Sequence, residues 1–138
     1  MSSGVAVNPQ CIEAYQTLQF KKTTKYIIFK LSDDYKEIVV EKTSEATDYE
    51  EFIGDLPSSS PRYAIYDFEY EKDGGKRNKI CFLAWSPDEA KIKEKMLYAS
   101  SKDAIRRSLT GVAAELQGTD YDEITLDEIS QKIQRSTS

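Results

Sequence analysis

The chain has 138 residues with 39% hydrophobic and 11% aromatic content, enough for one domain whose core needs neither disulfide nor metal. A formal net charge of -5 and a pI near 4.9 exclude broad electrostatic binding to nucleic acid, which requires a surplus of Lys and Arg. His is absent, and Cys11 and Cys81 form no Cys-x-x-Cys pair. The commonest neutral-pH general base is therefore missing, no zinc site or cofactor is indicated, and a reducing compartment fits best. Residues Met1 to Val7 show no basic region followed by an apolar run, and no stretch reaches the roughly 18 apolar residues of a membrane helix. A soluble, cytoplasmic chain is expected.

Asn8-Pro9 supplies an N-cap and a proline at the first helical position, and Cys11, Ile12, Tyr15 and Leu18 recur at helical spacing, which predicts a helix from about 9 to 19. Tyr26 to Leu31 and Glu37 to Glu41 are rich in β-formers and flank the polar turn Ser32 to Lys36, a hairpin. Asp48 opens a short amphipathic segment carrying Tyr49, Phe52, Ile53 and Leu56, which Pro57 ends. Arg62 to Glu71 alternates apolar and polar residues, predicting a partly exposed strand. The unbroken apolar run Ile80 to Trp85 predicts a strand buried on both faces. Between them Asp73-Gly74 marks a hairpin turn; Gly74-Gly75-Lys76 is too short for a phosphate-binding loop.

Next comes the most informative stretch. Lys91, Lys93, Lys95, Lys102, Arg106 and Arg107 fall within 17 residues of an acidic chain. Ser86-Pro87-Asp88-Glu89 reads as a capping box that opens a helix there. Ile105, Leu109, Val112, Ala113 and Leu116 then define one apolar helical face. At about 100° per residue that face does not extend back to Ile92 and Met96, so the helix either kinks near Ser100 or leaves those two exposed between lysines. Exposure is the favoured reading. Lys and Arg are good helix formers and a charged run is usually a solvated face, so periodicity alone leaves a solvated helix and a docking surface both open.

Arg62-Tyr63-Ala64-Ile65-Tyr66-Asp67-Phe68-Glu69-Tyr70, with Trp85-Ser86-Pro87-Asp88 and the run Lys95-Met96-Leu97-Tyr98-Ala99-Ser100-Ser101-Lys102-Asp103, resembles the actin-depolymerising factor/cofilin family. The likeness extends from Ser3-Gly4-Val5, past Gly74-Lys76-Arg77-Asn78-Lys79, to Gln117-Gly118-Thr119-Asp120, nearly the whole chain. It implies an α/β (α+β), gelsolin-like single domain over 1–138, with a central mixed five-stranded β-sheet between helices on both faces and a flexible segment over 1–7. The fifth strand would lie near Tyr121 to Ile124, and a last helix would begin at a Thr125-x-x-Glu128 capping box, with Leu126, Ile129 and Ile133 at helical spacing.

By the same resemblance the chain is a non-enzymatic, monomeric actin-binding protein. It would bind monomers and filaments, prefer the ADP state, twist and sever filaments and promote their depolymerisation. Ser3, Gly4, Val5, Lys93, Lys95, Met96, Asp103 and Arg107 match the surface used on monomers and filaments alike; on the helix Arg107 is expected to face actin and Arg106 to flank the buried face. Lys76, Arg77, Lys79, Lys132 and Arg135 match the filament-only surface. Phosphoinositide headgroups would compete for the cations. Ser3, or Ser2, is the matching phosphorylation position, where added negative charge would oppose an acidic partner. The first hairpin turn lacks the basic insert of animal members, which puts nuclear entry in question, and Gln131 stands where some relatives carry an acid.

Two rival readings remain. One is a non-severing filament side-binder or regulator of branching machinery on the same fold. The other is a small enzyme using Cys81 or the carboxylates Asp120, Asp122 and Glu123; an apolar strand position and a solvated turn explain those residues better.

Overall fold

The computed structural model describes residues 5–21 and 23–136, the last two by backbone alone. The elements run β1 (Ala6–Val7), α1 (Pro9–Gln16) continued by a π-helical turn (Thr17–Lys21), β2 (Tyr26–Leu31), β3 (Glu37–Ser44), α2 (Tyr49–Gly54), β4 (Arg62–Lys72) and β5 (Gly75–Trp85). They continue with α3 (Ile92–Ser108), β6 (Ala114–Gly118), a 3-10 turn (Tyr121–Ile124) and α4 (Leu126–Ser136). One six-stranded sheet holds them in the order β1-β3-β2-β4-β5-β6. The two outer pairings are parallel and the inner ones antiparallel, so the sheet is mixed as expected. Two of the six strands are unexpected, β6 and the short β1, whose Ala6 and Val7 pair with Glu37 and Ile38. Of the expected flexible segment 1–7, residues 1–4 lie outside the described residues.

Side chains alternate across the strands, so each sheet face builds its own core. On one face Tyr26, Ile28, Tyr66, Phe68, Cys81, Leu83 and Trp85 meet Tyr49, Phe52 and Leu56 from α2 and its end, and Ile129 and Ile133 from α4. On the other, Ile27, Phe29, Tyr63, Ile65, Ile80 and Phe82 meet Cys11, Tyr15 and Leu18 from the first helical segment and Tyr98, Ile105 and Leu109 from α3 and its end. The alternation in residues 62–71 misleads for this reason: β4 is central, and Tyr63 to Phe68 are buried without interruption.

Capping follows the sequence at three helices. Asn8 Oδ1 accepts from Gln10 N at 2.9 Å, Asp48 Oδ1 from Glu50 N at 3.1 Å, and Thr125 Oγ1 from Glu128 N at 3.3 Å. Leu126, however, is exposed, and only Ile129 and Ile133 face the core. The β4–β5 turn is Asp73-Gly74, with φ of 54° and 79°, the paired positive values of a type I′ hairpin.

Three expectations fail near α3. The helix begins at Ile92, not Ser86, because the intervening backbone stays committed to the sheet edge: Ser86 N donates to Gly118 O at 2.9 Å and Asp88 N to Thr119 O at 3.2 Å. The helical face expected over Val112 to Leu116 is instead strand β6, with Ala114, Leu116 and Gly118 buried alternately. Gly111, at φ 90°, lies in the break between α3 and β6. The fifth strand expected near Tyr121 to Ile124 is a 3-10 turn capped by Asp120, whose Oδ1 accepts from Glu123 N at 3.1 Å.

Candidate functional site

Helix α3 runs unbroken from Ile92 to Ser108, so the mismatch of apolar phase needs no kink. Its buried residues are Tyr98, Ser101 and Ile105, spaced three and four apart. Tyr98 anchors the helix twice: its hydroxyl accepts from Leu31 N at 2.9 Å, and its carbonyl accepts from the Tyr63 hydroxyl. With that face fixed, Ile92, Met96, Asp103 and Arg107 fall within about 60° of one another on the outward side. Ile92 is 75% exposed and Met96 66%, the exposure that the phase mismatch predicts. Two large apolar side chains on the solvent face of a charged helix are costly for a free surface and useful for a docking one.

The polar members of this face are held in place. Lys95 Nζ donates to Asp88 O at 2.8 Å, which folds the side chain back over the turn before the helix. Lys93 Nζ stands 5.5 Å from the Tyr35 ring centroid, a cation–π distance. Arg107 is exposed, and its Nε donates to Asp103 O at 3.3 Å. Arg106 turns the other way: its Nε lies 3.0 Å from Glu115 Oε1, an ion pair without hydrogen-bond alignment. Of the N-terminal candidates, Ser2, Ser3 and Gly4 lie outside the described residues, and Val5 is half-buried beside the core under α3.

A cavity of about 170 Å³ flanks the same helix, between α3 and the ends of β4, β5 and β6. Trp85 and Tyr98 line it together with Arg62, Lys95 and Lys102. Arg62 is neutralised by Glu41 at 2.8 Å, which leaves the two lysines as its cationic side.

The second group of candidates sits elsewhere. Lys76 and Arg77 are exposed on the distal half of the β4–β5 hairpin, and Lys79 is half-buried nearer its base. Strand alternation sends Arg77 and Lys79 to the side of the sheet that carries α4, and Lys76 to the opposite side. On α4, Lys132 Nζ donates to Glu123 O at 3.5 Å, and Arg135 lies in the last turn.

The residues proposed for catalysis have other work. Burial lifts the Cys81 thiol to about 12 and the Cys11 thiol to about 11, and the two belong to cores on opposite sheet faces. Both thiols stay protonated and unreactive at neutral pH. Glu123 Oε1 accepts from Thr119 N at 2.6 Å and from Thr119 Oγ1 at 2.8 Å, and Asp120 caps the 3-10 turn, so these acids bind backbone. Tyr35 was not visible as a candidate, because nothing local links it to a lysine 58 positions away.

A mixed sheet between helix pairs, with one long helix carrying exposed apolar and cationic residues outward, defines the actin-depolymerising-factor class of fold. The crystal structure of a cofilin from Streptomyces griseoflavus matches it with a TM-score of 0.92 at 52% identity, covering 96% of this chain and 98% of that one. Actin depolymerization factor 2 from Plasmodium berghei matches with a TM-score of 0.87 at 31% identity, covering 97% and 99%. The family model described as cofilin/tropomyosin-type actin-binding protein matches residues 4–134, and the cofilin of Mycosarcoma maydis is 56% identical over 138 residues, 99% of each chain. This chain belongs to the cofilin/ADF family of actin-binding proteins.

Proposed function

We propose that this chain binds both monomeric and filamentous actin with a preference for the ADP state, changes filament twist, severs filaments and promotes their turnover, acting as a cytoplasmic monomer. The observation that carries this reading is the outward face of α3, where Ile92 and Met96 stand exposed with Lys93, Lys95, Asp103 and Arg107 around them. Apolar side chains fit a hydrophobic cleft, and the surrounding charges set orientation and encounter rate against an acidic partner. The N-terminal Ser3-Gly4-Val5 would complete that surface. Arg77, Lys79, Lys132 and Arg135 would form the second surface, joined by Lys76 from the opposite face of the exposed hairpin tip, and would be engaged only when a neighbouring subunit is present.

Two separate surfaces on one small domain would account for severing without catalysis. A ligand that favours one filament twist shifts the filament toward it by its difference in binding free energy, and a boundary between decorated and bare segments concentrates the mismatch. Phosphoinositide headgroups would compete with actin, since Lys95 and Lys102 border the cavity beside the same face. Phosphorylation at Ser3, or at Ser2, would oppose docking by like charge.

Cosedimentation with filaments, pyrene-actin disassembly and monomer binding test the assignment together. Lys93→Ala/Lys95→Ala should weaken monomer and filament binding alike, by about tenfold or more. Lys76→Ala/Arg77→Ala should impair filament binding and spare monomers; equal losses in both assays refute the two-surface assignment. Ser3→Glu should weaken both, and an unchanged affinity removes Ser3. A non-severing side-binder would cosediment without raising the number of filament ends.

A further inference from the structure

The turn joining β2 to β3 touches Lys93 of the proposed monomer-binding surface and the strand that follows its N-terminal part. Its five residues, Ser32 to Lys36, are tightly cross-braced: Ser32 Oγ donates to Asp34 Oδ1 at 2.6 Å, Lys36 N to the same oxygen at 3.1 Å, and Tyr35 N to Ser32 O at 2.8 Å. Ser32 N and Glu37 O close the base at 2.8 Å, and Glu37 N donates back to Ser32 Oγ at 3.2 Å. Such bracing forces Tyr35 into the left-handed region at φ 60°, which is unfavourable for an aromatic residue and needs compensation from its surroundings.

The compensation lies in what Tyr35 reaches. The ring is half-buried against the core under α3, as are Val5, Val7 and Leu97, and its face receives the Lys93 ammonium at 5.5 Å. On its other side the turn holds the N-terminal strand, since Ala6 N donates to Lys36 O at 3.0 Å. One small, stiff loop therefore ties the strand that follows Ser3-Gly4-Val5 to the first turn of α3.

We infer that Tyr35 is a positioning residue for actin binding, which holds Lys93 in its docking rotamer. Its own ring and backbone stay off actin; it acts through Lys93. A lysine left free samples many rotamers, and ordering it on binding costs affinity, so a ring that orders it beforehand lowers that cost. The inference rests on the proposed actin surface and deepens it.

A double-mutant cycle on actin-monomer affinity tests it, using Tyr35→Leu, Tyr35→Phe, Lys93→Ala and the Tyr35→Leu/Lys93→Ala double variant of the full chain, with thermal unfolding of each. Leu keeps an apolar side chain and a left-handed backbone cost while removing the π face, and thermal unfolding reads the part of the ring's packing that is lost with it. Tyr35→Leu should weaken binding about two- to fivefold, the worth of an exposed cation–π pair, and Tyr35→Phe should restore wild-type affinity. In the Lys93→Ala background Tyr35→Leu should change nothing further. An equal loss in both backgrounds, an unchanged affinity for Tyr35→Leu, or a Tyr35→Phe loss as large as that of Leu would each overturn the positioning role. If wild type itself does not bind actin, the proposed function fails first; if it binds and Lys93→Ala has no effect, only the Lys93 route is lost.

Discussion

At the scale of single residues, the close approach at Gly118 shows how little freedom the ends of the sheet have. A Cβ there would meet Ile124 Cγ2 at 2.7 Å and Trp85 Cε3 at 3.3 Å. Ile124 and Trp85 are both fully buried, and Trp85 is pinned further by Nε1 donating to Pro57 O at 2.7 Å, so neither can step aside cheaply. Gly118→Ala should cost about 1–3 kcal/mol of folding stability, read as a lowered urea midpoint with an unchanged slope. Met96 makes the opposite case. It contributes nothing to the core, so Met96→Ala should leave the same midpoint within about 0.5 kcal/mol while weakening actin-monomer binding.

At the scale of elements, legibility tracked whether the deciding contacts were local. Asn8, Asp48 and Thr125 announced their helices because a cap acts within three residues. Ser86-Pro87-Asp88-Glu89 announced a helix start just as clearly and did not make one, because Gly118 and Thr119 capture its backbone from more than 30 residues away. Val112 to Leu116 likewise has helical spacing, and parallel pairing of β6 with Cys81 to Trp85 overrides it. The outward face of α3 was legible from the phase mismatch at Ile92 and Met96, whereas the Tyr35 contact to Lys93 was not, since only the folded sheet brings the two together. The misplaced start leaves a mark: α3 has Lys91 at its N-cap with no side-chain cap, next to the positive end of the helix dipole. Lys91→Asp should therefore raise stability by about 1 kcal/mol, measured as an increase in Tm.

At the scale of the whole molecule, acid should loosen the fold through a few carboxylates. Asp55 is opposed by burial, but hydrogen bonds from Lys42 and the Tyr26 hydroxyl outweigh it and hold the carboxyl below its ordinary value. The Thr119 backbone and side chain do the same for Glu123. A carboxyl with a depressed folded pKa contributes stability that is present above the ordinary carboxylate range and lost as pH falls through the folded value. The urea midpoint should thus be level between about pH 5 and 7 and drop by about pH 2.5, and Asp55→Asn should make that drop shallower. An equally steep loss in Asp55→Asn would place the acid sensitivity elsewhere. With no His in the chain, no side chain of ordinary pKa titrates near neutrality.

The two surfaces proposed to meet actin also differ in stiffness. β4 pairs with β2 over Tyr63 to Tyr66 and β5 with β6 over Cys81 to Trp85, so among the described residues the two strands pair only with each other from Phe68 and Lys79 outward, although Phe68 and Tyr70 still pack on the core that α4 covers. A two-stranded ribbon beyond its sheet has little stability of its own and twists readily. Beyond Tyr70 the hairpin tip that carries Lys76 and Arg77 is thus a cantilever, whereas α3 is fixed to the sheet through its buried Tyr98, Ser101 and Ile105. In the proposed mode of binding, a molecule built this way would grip one subunit with a rigid jaw and reach the next with a sprung arm, able to follow that subunit as the filament's pitch changes.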